Sequence, residues 1–348
     1  MKSELKIGML SPIHWRTPPR FYGAWESVTS NLTEGLVKKG IKVTLFATGD
    51  SKTRAKLKWI CPRPLMEDKT LEPRVYEFLH RALIFENASS FDIIHNHYDF
   101  YSLVFSPFVK TPILTTIHGF SSPLAASVYN RYNQTYYVSI SQADRRHAPF
   151  LNYLATVYHG IDPEIYRFGK GGAYLIYLGR ISWQKGVGQI CQIAKEAGKK
   201  LILAGYLPPE EEEYFQKKVK PFLDGKQIKY LGMVSEKEKV KLLQNALAFI
   251  QWNAPQYKGE GFGLSLVEAQ SCGTPVIARK HGPIPEVIKD GETGFIVKEK
   301  KEVKKALSKI PKIKREDCRV WILKNFTIKK MVENYIKVYQ RILELEKK

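Results

Sequence analysis

Cysteine is scarce in this chain of 348 residues, and the four present stand far apart. Cys61, Cys191, Cys272 and Cys318 form no Cys-x-x-Cys pair, which excludes a disulfide scaffold and leaves them as reduced thiols. No run of about 18 apolar residues occurs, so no segment reads as a membrane span. The opening MKSELKIGML passes at once into a strand-like run with no room for a secretory signal, and a cytoplasmic protein is expected. Negative charge is in short supply: 55 Lys and Arg face 34 Asp and Glu, a net +21. From Lys298 to Lys348 the balance is 17 against 7. Such a surface suits nucleic acid, anionic lipid headgroups or anionic small molecules, or is a plain Lys-rich solvated face. Stacked-aromatic and helix-turn-helix signatures are missing, so nucleic acid is not an expected partner.

What is present is a repeated alternation of short apolar runs and amphipathic stretches. Lys6–Ser11 and Ile41–Thr48 read as strands around a helix from Trp25 to Lys39, whose Val28, Leu32 and Leu36 share one face. That is a parallel βαβ unit. Further strands are expected at Asp92–Asn96, Pro112–Ile117, Tyr136–Ile140 and Ala155–Tyr158, with a helix over Pro73–Glu86. After the Gly-rich Gly169–Gly172 the pattern restarts, with strands at Ala173–Leu178, Lys200–Ala204, Ile228–Leu231, Ala248–Gln251, Pro275–Ala278, Ile284–Ile288 and Gly294–Val297. The expected fold is α/β: two doubly wound, Rossmann-like domains facing across a cleft, at residues 1–165 and 166–325. A final helix, in residues 326–348, carries Met331, Tyr335, Val338, Ile342 and Leu345 on one seam.

Ligands of such sheets meet the loops at the carboxyl ends of the strands. Four loops carry chemistry. Gly23 precedes a helix start, a turn that favours anions, and Glu26 lies in that first turn. His118 directly follows the strand PILTTI; His95 and His97 follow another, but without further ligands at metal spacing no metal site is expected. Arg180 and Lys185, in GRISWQKG, place two cations beside a helix start, an arrangement suited to a diphosphate. The fourth stretch, EGFGLSLVEAQSCGTP, sets Glu260 and Glu268 on either side of a Gly-Phe-Gly turn, with a short helix that Gly273 would close.

These stretches, YGAWE, TTIHG, SISQAD, HGID, GRISWQKG, EGFGLSLVEAQSCGTPVIA and PEVIKDGETGFIV, occur in the order found in family 4 glycosyltransferases, which the chain resembles from about Lys6 to Ile342. Those enzymes have the GT-B fold and are retaining and nucleotide-sugar dependent. The resemblance implies that Arg180 and Lys185 hold the donor diphosphate and that Glu268 binds the ribose hydroxyls. It implies that Glu260, with backbone N–H groups of Phe262, Gly263 and Leu264, holds the transferred sugar. His118 would contact that sugar and the reacting centre, and the last helix would cross back to the first domain. Gly23 would approach the phosphate, although Gly23-Ala24-Trp25-Glu26 stands where relatives carry Gly-Gly-x-Glu, and Glu26 is an acceptor-side candidate. The loop from Asn253 to Gly259 is longer than many relatives carry.

Asp-x-Asp, the usual carboxylate clamp for a metal-bound nucleotide sugar, is absent. The expectation is therefore a metal-independent transferase needing no cofactor, with a UDP-, GDP- or ADP-linked sugar as donor substrate. The acceptor is a small molecule or a lipid-linked precursor met at a membrane surface. Front-face attack is the expected route to retention, because no second catalytic carboxylate has a firm claim. A sugar-nucleotide epimerase of the same fold and a basic nucleic-acid-binding protein are the rival readings.

Overall fold

The computed structural model describes residues 5–98, 100–119, 125–146, 148–257 and 261–347. The chain forms two compact units, residues 1–160 with 328–348, and residues 161–327. The first is built on a sheet of seven parallel strands: β1 (Lys6–Leu10), β2 (Lys42–Phe46), β3 (Lys56–Lys58), β4 (Ile93–Asn96), β5 (Ile113–Ile117), β6 (Tyr136–Ser139) and β7 (Tyr153–Thr156). Their order across the sheet is β3-β2-β1-β4-β5-β6-β7. Helices α1 (Ala24–Lys38), α2 (Pro73–Glu86), α3 (Ala125–Arg131) and α4 (Gln142–Arg145) fill the connections. The central strands β4 and β5 are buried at every position, as in sheets covered on both faces, and Ile7, Met9, Ile93, Ile94 and Leu114 are fully buried.

The second unit repeats the plan with six parallel strands: β8 (Tyr174–Leu178), β9 (Leu201–Ala204), β10 (Ile228–Tyr230), β11 (Ala246–Gln251), β12 (Val276–Arg279) and β13 (Gly294–Val297). The order is β10-β9-β8-β11-β12-β13, so the direction of winding reverses between β8 and β11. Its helices are α5 (Val187–Glu196), α6 (Glu212–Tyr214), α7 (Glu236–Gln244), α8 (Leu264–Ser271), α9 (Ile284–Val287), α10 (Lys300–Lys309) and α11 (Arg315–Asn325). α7 starts on a capping box in which Ser235 and Glu238 satisfy each other's backbone N–H groups. α8 ends as its sequence suggests, with Gly273 in a left-handed conformation just past the last turn.

Three sequence readings change. Ile284–Ile288 is not a strand: Ile284–Val287 is a short helix, because Pro283 and Pro285 sit where a first helical turn needs no N–H and their fixed φ suits it. Gly169–Gly172 is not a free junction. Gly169 N donates to Cys272 O, Gly171 N to Gln244 O, and Arg315 Nε to Gly169 O, so the segment is bonded into the second unit. The change of unit falls at Gly160, and Ile161 N donates to Phe326 O, which sets the outgoing and returning chains side by side.

The last helix, α12 (Ile328–Leu345), belongs to the first unit. Its Met331, Val332, Tyr335, Val338, Tyr339 and Ile342 are buried at helical spacing on one face. It crosses α1 at Gly35, where a Cβ would run into Cγ2 of Val332.

Candidate functional site

In the second unit the reversal between β8 and β11 leaves a crevice at the carboxyl ends of two adjacent strands, where open α/β sheets take their ligands. Two loops with distinctive residues leave those ends. The loop from β8 to α5 carries Arg180 and Lys185. The Arg180 guanidinium donates to Gln184 Oε1 at 2.8 Å, while its buried Nε makes no hydrogen bond among the described residues. The Tyr177 hydroxyl donates to the Arg180 carbonyl, pinning the turn from within the core. The Lys185 ammonium lies 5.2 Å from the centre of the Tyr257 ring, and Ala254 N donates to Gln184 O at 2.9 Å. These contacts tie the loop to the segment that follows β11.

That segment leads into α8. Glu260 lies outside the described residues. Phe262 is buried, its ring 5.7 Å from that of Phe326. Gly263 caps α8 with φ of 95°, a left-handed conformation that strains any residue with a Cβ. The first N–H groups of α8, from Leu264 onward, therefore start at the turn. Glu268, one turn further on, is 6 % exposed. Its Oε1 accepts from the Tyr166 hydroxyl and from Lys239 Nζ, both at 2.7 Å, and Oε2 accepts from neither. Burial, then the Glu268 charge, holds the Tyr166 phenol far above its ordinary range, so it remains a donor.

The first unit gathers another set. Gly23, with φ of 142°, caps α1, and any Cβ there would also press on Glu26 Oε2. Glu26 is 4 % exposed and its Oε1 accepts from Trp15 N at 3.2 Å. Burial pushes its carboxyl up to about 7, against smaller opposing effects from its own backbone N–H, His14 and Trp15. His118 stands just past the end of β5, stacked on Trp25 with ring centres 5.2 Å apart and 21° between planes. Trp25 thus joins the Gly23–Glu26 loop to His118.

His118 does not stand alone. Its Nε2 is 2.9 Å from His97 Nδ1, and His97 Nε2 is 3.3 Å from His95 Nδ1. Burial first, then the neighbouring imidazoles, hold all three well below the ordinary histidine range, so they are neutral near pH 7. The His159 ring lies 5.2 Å from that of His118 between centres, and the group is held down to about 3 by burial. In the sequence His95 and His97 show only the spacing of a metal pair without further ligands. The available signal was their two-residue spacing, which sets both on one face, matched by Thr116 and His118 along the neighbouring β5. Among the described residues no group of three or more His, Cys, Asp or Glu is placed to hold a metal ion. Among them too, no helix is long and apolar enough to cross a membrane.

Comparison with known proteins bears on the fold and the family. Residues 161–325 match the family model described as glycosyl transferases group 1, and residues 25–165 match that of glycosyltransferase family 4. An uncharacterized glycosyltransferase of Methanocaldococcus jannaschii is 28% identical over 196 residues, 53% of this chain and 49% of that protein. The chain spans about half the length of several curated relatives it matches. Among solved structures, the sucrose-phosphate synthase of Thermosynechococcus elongatus superposes with a TM-score of 0.79 at 16% identity, covering 98% of this chain and all of that one. Anabaena HepE, solved in complex with UDP and glucose, gives 0.74 at 18% identity over 97% of this chain and 100% of its own. Both are GT-B folds like this one, and the two family matches together run from residue 25 to residue 325, one on each unit: the chain belongs to the family 4 glycosyltransferases.

Proposed function

We propose that the chain is a retaining, metal-independent hexosyltransferase that moves a sugar from a nucleotide diphosphate sugar to a hydroxyl acceptor. The observation that carries this reading is the crevice of the second unit. There Arg180, with a buried Nε unpartnered among the described residues, and Lys185 stand on the loop leaving β8, while the Gly263 turn opens α8 beyond β11. Two fixed cations and a helix start offer the charge that a departing diphosphate develops, the role a metal ion plays elsewhere. Glu268 Oε2, held in place by the two bonds to Oε1, is set to accept from a ribose diol. Glu260 and the N–H groups of Phe262, Gly263 and Leu264 are assigned to the transferred sugar, and His118 to one of its hydroxyls. Gly23 and Glu26 are assigned to the donor phosphate and the acceptor side.

The donor class is supported by the UDP and glucose bound to HepE. In the proposed step the bond from the anomeric carbon to the diphosphate oxygen breaks and its electron pair leaves with the phosphate. The acceptor oxygen bonds to the same face of the sugar, and its proton passes to the leaving phosphate. The acceptor is a small molecule or a lipid-linked sugar, the latter met by a peripheral enzyme at the inner face of the membrane.

Thermal unfolding with UDP-, GDP- and ADP-sugars, each with Mg²⁺ or EDTA, tests the reading. A site filled at about one hundred times Kd stabilises by about 2.7 kcal/mol, a rise in Tm of roughly 5–10 °C for a unit of this size. One base should give that rise in EDTA as in Mg²⁺, and Glu268→Ala should abolish it. A rise that requires Mg²⁺ removes metal independence; no rise with any donor removes the function.

A further inference from the structure

The histidine line of the first unit has a polarity, and it can be worked out from its buried end. Tyr339 of α12 is fully buried, and among the described residues its hydroxyl has one partner, His95 Nδ1, at 2.7 Å. Were Nδ1 to carry the proton, the phenol hydrogen would be left buried without an acceptor, a costly arrangement. Tyr339 therefore donates, and burial keeps its phenol protonated far above neutral pH. His95 then carries its proton on Nε2 and donates to Thr116 Oγ1 at 2.8 Å. Thr116 in turn shares a hydrogen bond of 2.8 Å with the Tyr335 hydroxyl.

The one lone pair of His95 Nδ1 is directed to Tyr339. His97 Nε2, at 3.3 Å, either turns an N–H toward it, sharing that lone pair in a longer three-centre bond, or opposes it with a second lone pair. The first is the favourable arrangement, so His97 carries its proton on Nε2. A neutral His97 is then bare at Nδ1. The 2.9 Å contact to His118 requires one proton between the two nitrogens, and it must sit on His118 Nε2. His118, also neutral, is left with a bare Nδ1, a buried atom with no hydrogen-bond partner among the described residues. Trp25 stacks on the ring and holds its plane.

We propose that Tyr339, His95 and His97 act as positioning residues that lock His118 in the Nε2–H tautomer, so that its Nδ1 is presented as a hydrogen-bond acceptor to a substrate hydroxyl. A hydroxyl that donates to it satisfies the buried lone pair; a group that only accepts is rejected. The tautomer follows from the protein alone, whereas its use on a sugar rests on the function proposed above.

Selective ¹⁵N-histidine NMR on the full chain reads the tautomer directly. In the native protein His118 should show a protonated Nε2 and a bare Nδ1. Tyr339→Phe removes the anchoring hydroxyl three rings from His118 and should turn the single tautomer into a mixture, with kcat/KM about tenfold lower at unchanged fold. Tyr335→Phe removes an equally buried hydroxyl from the same helix, but on the Thr116 side of His95, and should leave the tautomer as in the native protein. A native His118 protonated on Nδ1, or a Tyr339→Phe spectrum identical to the native one, overturns the locking. Addition of the nucleotide sugar that stabilises the chain should move the His118 Nδ1 resonance in the direction of an accepted hydrogen bond. A bound donor that leaves it unmoved overturns the presentation to substrate. Failure of every donor to bind, with the tautomer as described, strikes the proposed function and leaves the locking standing.

Discussion

Glu26 is a carboxyl group placed where its neutral form is favoured. Loss of water on burial is the main cause, and the Trp15 N–H and the nearby His14 offset only part of it, so the folded value stands at about 7 against 4.5 for the exposed group. Below pH 4.5 the group is protonated whether the chain is folded or not, and it contributes nothing to the pH dependence. Between 4.5 and 7 the unfolded chain ionises it while the folded chain keeps the proton, so stability falls as pH rises. The full loss is about 3 kcal/mol, complete above the folded value. Glu26→Gln keeps the shape without the ionisation. Urea unfolding should find the variant and the native chain nearly equal at pH 5, and the variant about 2–3 kcal/mol more stable at pH 8. Equal stabilities at both values would mean that water reaches the carboxyl. A carboxyl held near neutrality is also poised to exchange a proton, in keeping with the acceptor-side role proposed for Glu26.

At the scale of elements, the crossing of α1 and α12 is set by one missing methyl. Alanine is ordinarily worth about 1 kcal/mol over glycine inside a helix. At Gly35 the sign should reverse, because the new Cβ meets Val332 Cγ2 on a packed helix face. Gly35→Ala is expected to cost about 1–3 kcal/mol in urea unfolding, and Val332→Ala added to it should recover most of that. An additive pair would show that the helices already have slack. The same interface explains what was legible in the sequence. The seam of α12 and the face of α1 are written in the 3.6-residue period, but which surface α12 covers depends on a chain return from residue 327 that no local pattern records. The site loops were legible because glycine and paired charges have few other uses at strand ends. The histidine line was not, since its partners sit on β4, β5 and α12 and come together only through strand pairing and helix docking. Ile284–Ile288 misled because a short apolar run has no period of its own, and only the prolines around it decide for a helical turn.

For the molecule as a whole, the histidines are divided unevenly between the units. His80, His95, His97, His118 and His159 are buried in the first unit, while the second has only His281, which is half-buried. Burial holds His80 at about 4 and His159 at about 3, and His95, His97 and His118 well below the ordinary 6.5. Above pH 6.5 these groups are neutral in both states and cost nothing. As pH falls below that value the unfolded chain takes up protons that the folded unit refuses, so stability drops, with Glu26 opposing by one proton. Five buried imidazoles refuse protons that the unfolded chain accepts, against the one that Glu26 retains, so the balance runs against the folded unit in acid. Domains hold only about 5–15 kcal/mol in reserve, so the first unit should unfold below pH 6.5 before the second does. Hydrogen exchange after brief acid incubation should therefore label β1–β7 and α12 together and spare β8–β13. Glu26→Gln, free of the penalty that the ionising carboxyl still imposes above pH 4.5, should move the transition to slightly lower pH and make it steeper. Simultaneous loss of both units, or a midpoint that ignores Glu26→Gln, would put the acid response outside these buried groups.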